Sequence, residues 1–229
     1  MTDAADTRAK PPRVSHAGSS ALLLDAGDQR FSLPVQQRLW TLGAPDSPLR
    51  TLPWVKECVL GVNNLLLVYH PLAVTPSEAR AQLLQLWQTS ESKAEIGTTH
   101  EVPVDYDLSG DGDLAAIAER TGLSMQEIVH LHSSAEYRVA CIGMIPGFAY
   151  LVGLPERLVS PRRASPRPGL PKGAVVIGGT QAGVLPITTP SGWHVLGMTD
   201  VNVFDIQRPN PCLFAPGDRV AFKVRGVSP

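Results

Sequence analysis

"TTHEVPVDYD", residues 98–107, is a β-type run whose place in the chain decides the fold. Upstream, "SALLLDAG" (20–27) is a short apolar run ending in glycine, a candidate strand. In "PVQQRLWTL" (34–42), Val35, Leu39 and Leu42 share one face of an amphipathic helix. "WVKECVLGVNNLLLVYH" (54–70) reads as two strands joined by a hairpin over Gly61–Asn64. "TPSEARAQLLQLWQ" (75–88) opens with Thr75, Pro76 and Glu78, a capping-box start for a second helix. Residues 98–107 then return as the last strand of a β-α-β-β-α-β series, which predicts a ferredoxin-like α+β domain over residues 20–105.

The segments on either side differ in character. Residues 1–19 are small, polar and proline-containing, and are expected to be a disordered tail without the apolar core of a secretory signal. Residues 106–136 form a helical connector: Gly122 is a helix stop, and Ser124 with Glu127 makes a second capping box. Two helices around a glycine turn suggest a DNA-binding motif, but "SMQEIVHLHSS" (124–134) has no lysine or arginine to neutralise phosphates, so nucleic acid is not expected as a partner. From 137 to 229 come "YRVACIGM", "GAVVIGG", "WHVLGM", "NVFDI" and "RVAFKVRG", separated by Gly-, Pro-, Asn- and Asp-rich turns. That half is all-β, a barrel or compact sandwich.

Composition narrows the function classes. The 229 residues are 43% hydrophobic and 18% charged, with a net charge of −1, which gives no global attraction to nucleic acid or anionic membrane. No apolar run reaches the roughly 18 residues of a membrane span. Cys58, Cys141 and Cys212 are widely spaced and form no metal-ligand pattern, as expected of thiols in a reducing cytoplasm. His130 and His132 lie two apart on a helix, so their rings diverge and no metal site is expected there. "GGTQAG" (178–183) lacks a following helix and reads as a β-turn rather than a phosphate loop. Ser191, His194 and Asp200 lack the surroundings of a nucleophilic triad.

One segment stands apart. "GMIPGFAYLVG" (143–153) is followed by "SPRRASPRPGLPKG" (160–173), and between Arg157 and Lys172 stand five basic residues, four prolines and no carboxylate. Proline excludes an ordinary helix or central strand here. The segment is either a rigid arm presenting Arg162, Arg163, Arg167 and Lys172 to carboxylate or phosphate, or a basic loop that solvates or meets a partner. Both readings stay open on the residues alone.

The run from "GMIPGFAYL" to "PSGWHVLGMT" resembles the signature of the KipI / PxpB family, also called allophanate hydrolase subunit 1: a GFxPGFxYL turn, a PRxxxPR segment, a VPxGSVxIxGxQTGxYP stretch and a PGGWxxxGRT turn. The likeness continues upstream through "DLAAIAERTGLSMQEIVHLHSS" and, more faintly, to "SALLLDAGD". It implies an N-terminal α+β domain followed by a cyclophilin-like β-barrel. It also implies a subunit of ATP-dependent 5-oxoprolinase, opening 5-oxo-L-proline to L-glutamate with a KipA/PxpC-type and a LamB/YcsF-type (PxpA) subunit. Relatives of other branches inhibit a sensor histidine kinase or act as carboxyltransferase parts on urea-type substrates, and these are the alternative functions. ATP, with Mg shared with the partner, is the implied cofactor, and a small lactam or amide the substrate. On this basis Arg162, Arg163, Arg167 and Lys172 are the candidate phosphate and substrate cations. Pro146, Gly147, Phe148, Tyr150, Gln181, Trp193, His194 and Thr199 are the candidate cleft lining, with no catalytic group assigned. The sequence departs from the family pattern at Met144 (phenylalanine), Lys172 (a small residue), Leu185 (tyrosine), Ser191 (glycine) and Met198 (arginine).

Overall fold

The computed structural model describes residues 11–27, 30–91, 97–110 and 112–228. The chain forms two compact units, residues 1–94 and 95–229.

The first unit is a four-stranded antiparallel sheet backed by two helices. Its elements are β1 (Arg13–His16), β2 (Ala21–Asp25), α1 (Leu33–Gly43), β3 (Val55–Leu60), β4 (Asn64–Tyr69) and α2 (Pro76–Thr89). The sheet order is β1-β2-β4-β3. Leu22, Leu24, Leu65 and Leu67 of the central strands are fully buried against Leu39 of α1 and Leu83 of α2. Helix α2 starts as its sequence demands: the Thr75 side chain accepts from the Glu78 amide while the Glu78 carboxylate accepts from the Thr75 amide. Those hydrogen bonds hold the Glu78 carboxyl below its ordinary range. The β3–β4 hairpin also forms where expected, with Asn63 at φ 59°, a left-handed conformation that asparagine tolerates. Gln36 of α1 grips this turn, accepting from Asn63 N at 2.7 Å and donating to Gly61 O at 3.0 Å.

Two expectations need correction here. The strand at 98–107 does not close this sheet. Its edge place beside β2 is taken by β1, which lies in the stretch expected to be tail, paired from Arg13↔Asp25 to His16↔Leu22. The ferredoxin-like series is therefore not completed by residues 98–107. Val14 anchors the edge strand in the core, and Arg13 pairs with Asp25 at 2.9 Å. Residues 1–10 of the expected tail lie outside the described residues.

This pairing has a measurable consequence. Deleting residues 1–18 is expected to destabilise the first unit, because it removes β1 and uncovers β2. Losing a buried valine alone costs about 1.5 kcal/mol or more, and each kcal/mol moves the Tm of a unit this size by about 4–8 °C. A melt in which this deletion matches the intact chain would show that β1 contributes nothing.

The second unit is a closed seven-stranded barrel, in the order β10-β7-β6-β13-β5-β12-β9. The strands are β5 (Thr99–Asp107), β6 (Tyr137–Ile142), β7 (Ala149–Val152), β9 (Ala174–Gly178), β10 (Gln181–Val184), β12 (His194–Met198) and β13 (Arg219–Ser228). A two-stranded ribbon, β8 (Arg167–Leu170) with β11 (Thr189–Ser191), lies outside that ladder. Strand β5 belongs to the barrel because β13 pairs with it in parallel along its whole length, Thr99↔Arg219 to Asp107↔Ser228. Its Val102, Val104 and Tyr106 point into the barrel core. Pro103 is tolerated because the other neighbour, β12, meets β5 only at Asp105 and Tyr106.

The helices α3 (Asp113–Thr121) and α4 (Met125–Ser134) are part of this unit rather than a connector. Leu114, Ile117, Leu123, Ile128 and Val129 share one core with Val139, Val175 and Phe222 of the barrel. His132 is fully buried there, its Nδ1 hydrogen-bonded with the Tyr106 hydroxyl at 2.8 Å and its ring stacked on Phe222 at 4.5 Å. Burial lowers its pKa to about 3, so the ring is neutral. It packs, while His130 is exposed. Burial likewise pushes the Cys141 thiol up to about 12 and raises that of Cys58, as suits inert core cysteines.

Candidate functional site

The turn before β7 folds back on itself: Gly143 N donates to Phe148 O at 3.0 Å and Phe148 N to Ile145 O at 3.1 Å. It delivers Phe148 into a cluster with Leu170, Ala174, Val176, Leu185 and Trp193, flanked by Ile145, Tyr150, Val195 and Met198. The Phe148 ring meets Trp193 edge-on at 5.5 Å and Tyr150 at 5.1 Å. Room for these rings comes from the "GGTQAG" hairpin. A Cβ on Gly178 would lie 2.6 Å from the Trp193 ring, and one on Gly183 2.8 Å from the Phe148 ring. The hairpin is therefore a β9–β10 turn that makes space for aromatic side chains. Leu185 and Met198, two of the departures from the family pattern, both pack in or against this apolar cluster.

The arm beside it is stitched to the barrel. Ser160 exchanges both backbone hydrogen bonds with Gly179, Arg163 N donates to Gly192 O at 2.8 Å, and Arg167 pairs with Ser191 across the ribbon. Arg120 of α3 donates to Ser160 Oγ at 2.6 Å. The His194 ring donates through Nε2 to Pro161 O at 2.9 Å.

The cations divide into two groups. Arg163 donates through Nη1 to Asp113 Oδ1 at 2.9 Å, and Arg167 donates through Nη2 to Asp113 Oδ2. Asp113 Oδ2 also accepts from Val195 N at 2.6 Å, and His194 Nδ1 lies 4.0 Å from Oδ1. The Asp113 side chain is only 4% exposed, so these donors compensate a buried carboxylate. It opens α3, where the free amides of the first turn favour negative charge. Arg162 and Lys172 have no ion pair among the described residues. Arg162 instead stands over the Trp193 ring, 5.6 Å from its centroid. Burial, as the larger influence, raises the phenol pKa of Tyr150, and the nearby charge of Arg162 opposes the shift.

Phe148 and Trp193 are thus buried in one aromatic cluster with the half-buried Tyr150, Arg162 stands exposed over the Trp193 ring, and Arg163, Arg167 and His194 gather around Asp113. Other candidates fall elsewhere in their roles. Thr199 is buried, and its Oγ1 accepts from Val201 N at 3.3 Å, a turn contact. Gln181 pairs through its backbone with Gly178. Gly147 is buried with Phe204 beside it, and Pro146 is exposed on the turn. The Lys172 amide donates to Thr188 Oγ1 at 3.3 Å, and its side chain is exposed. Ser191, His194 and Asp200 do not form a triad: Ser191 Oγ accepts from Trp193 N, while Asp200 pairs with Arg225 at 2.7 Å.

Asp113 is the residue that sequence reasoning missed. Its signal was indirect: a run of five cations without a carboxylate requires a counter-charge from elsewhere in the chain. Chemically, Arg162 is an exposed guanidinium without an ion pair among the described residues, near the half-buried Tyr150, and such a group can hold an anion. Among the described residues, no acid, base and nucleophile set is gathered around it.

The family described as carboxyltransferase domain, subdomain C and D, matches residues 12–214. The 5-oxoprolinase B subunit of Escherichia coli O157:H7 is 40% identical over 205 residues, covering 90% of this chain and 92% of that protein. The crystal structure of TTHA0988 superposes with a TM-score of 0.75 at 34% identity, over 91% of this chain and 40% of that longer one. Urea carboxylase of Kluyveromyces lactis superposes with a TM-score of 0.78 over 93% of this chain and 22% of its own, at 17% identity, a likeness of fold alone. The chain belongs to the carboxyltransferase subdomain C and D family, the family of the 5-oxoprolinase B subunits.

Proposed function

We propose that this chain is one subunit of an ATP-dependent 5-oxoprolinase, working with a KipA/PxpC-type and a LamB/YcsF-type subunit to open 5-oxo-L-proline to L-glutamate. The observation that carries this reading is the match to a 5-oxoprolinase B subunit across 92% of that protein's length. A five-membered lactam is a weak electrophile. Transfer of the ATP γ-phosphoryl group to the lactam oxygen would release ADP; attack of water at that carbon, cleavage of the C–N bond with protonation of the departing amine, and hydrolysis of the resulting acyl phosphate to carboxylate and phosphate would then open the ring. Such a path needs fixed cations where negative charge gathers.

Arg162 and Lys172 are the arm cations left for that purpose. Tyr150, half-buried against the Phe148 and Trp193 rings, is the aromatic side chain left to meet the lactam ring, and Leu185 and Met198 add to the apolar cluster it packs on. The 178–183 hairpin is not a phosphate cradle, since the Gly179 amide is spent on Ser160 O at 2.6 Å. The residues suit an anion rather than a complete nucleotide pocket, so ATP and its Mg ion are shared with the partner.

The chain alone is expected to form no glutamate from 5-oxoproline and ATP, whereas mixing with both partner proteins restores turnover. Turnover by the single chain at the rate of the assembled complex would contradict a shared site.

A further inference from the structure

We propose that Asp113 is a positioning residue. By committing Arg163 and Arg167 to the scaffold, it leaves Arg162 as the arm's anion-binding arginine and sets that guanidinium over Trp193. This inference rests on the reading of the arm as a substrate site.

Three features of the geometry support it. The Asp113 carboxylate is buried yet joins three separate segments: the start of α3, the arm through Arg163 and Arg167, and β12 through Val195 N. Secondly, it acts on both members of the Arg162–Trp193 pair. Arg163, next to Arg162, is held at its guanidinium by Asp113 and at its amide by Gly192 O. The Arg167 Nη2 that meets Asp113 also reaches Trp193 O at 3.3 Å. Thirdly, Arg162 is the arm arginine without an ion pair among the described residues, so its place follows from how its neighbours are pinned. Without the carboxylate, Arg163 and Arg167 would become free competitors for any anion, and the arm around Arg162 would be left with the Pro161 O–His194 and Arg163 N–Gly192 O hydrogen bonds alone to fix its path beside β12.

The test is a double-mutant cycle in the assembled complex with Asp113→Asn, Arg162→Gln and both together, each also checked for folding and partner binding. Arg162→Gln is expected to lower kcat/KM for 5-oxoproline about tenfold or more, the scale of one lost charge-assisted contact. Asp113→Asn is expected to lower it about tenfold, mostly through a raised KM. In the Arg162→Gln background it should then add less than about threefold, because the two act through one contact. Should Asp113→Asn fold poorly, Arg167→Lys takes its place in the cycle, keeping the charge but losing the forked contact to Asp113 and Trp193 O.

A second readout does not depend on activity. In the isolated full chain, the side-chain protons of Arg162 should carry an upfield NMR shift from the Trp193 ring that is lost in Asp113→Asn. Independent, multiplying effects on kcat/KM, or an Arg162 shift unchanged by Asp113→Asn, would overturn the positioning role. A complex without 5-oxoprolinase activity that still shows the Asp113-dependent shift would fault the proposed reaction, leaving the placement of Arg162 standing.

Discussion

Replacing Arg163 and Arg167 together by glutamine is expected to cost the barrel unit about 3 kcal/mol, while Arg162→Gln stays within about 0.5 kcal/mol. The contrast follows from Asp113. Breaking a buried ion pair by removing one side leaves an uncompensated charge, a loss of about 3–5 kcal/mol. The lower figure applies because the two arginine side chains remain 37% and 34% exposed, so water already shares their charge. After the double replacement, Asp113 would keep the Val195 amide but no guanidinium, with His194 Nδ1 4.0 Å away. Either single replacement leaves one guanidinium in place and should cost about half as much. Thermal melts should then show a fall of roughly 10 °C for the double variant and little change for Arg162→Gln. Equal, small shifts for all three positions would mean that the arm is a solvated loop.

How far such behaviour can be read from sequence depends on the separation of the partners. The capping boxes at Thr75–Glu78 and Ser124–Glu127 and the hairpin at Gly61–Asn64 are contacts within a few residues, and the structure has them where the sequence places them. The fate of residues 98–107 is different. Their β character is local, but their partner β13 lies about 120 residues further on, and nothing in "TTHEVPVDYD" distinguishes closing one sheet from entering another. Residues 13–16 have only Val14 as a buried anchor, too little apolar pattern to stand out from a polar tail. At the candidate site, the motifs single out Phe148, Tyr150 and Trp193, though as cleft lining, whereas Phe148 and Trp193 are buried in one cluster; the arm stands out through its prolines and arginines. The sorting of those arginines was not, because Arg163 and Arg167 meet Asp113 across 50 and 54 residues. The four cations look equivalent in sequence, and only the position of one carboxylate makes them unequal.

The same inequality makes Arg162 the cation whose loss should matter most for turnover. It is exposed, and its one aromatic contact is a long one at 5.6 Å, worth about 0.5–1 kcal/mol at such a surface site. Its removal should therefore spare the fold. A charge-assisted contact to a substrate carboxylate or phosphate is worth about 1.5–3 kcal/mol, which corresponds to roughly tenfold to a hundredfold in rate. The most direct measurement is ATP-dependent glutamate formation by the reconstituted complex carrying Arg162→Gln, with affinity for the partner proteins measured on the same preparations. The expected result is a loss of about tenfold or more in kcat/KM at unchanged melting temperature and unchanged partner affinity. Full activity in that variant, or a loss that only follows weakened partner binding, would contradict the assignment of this surface as a substrate site.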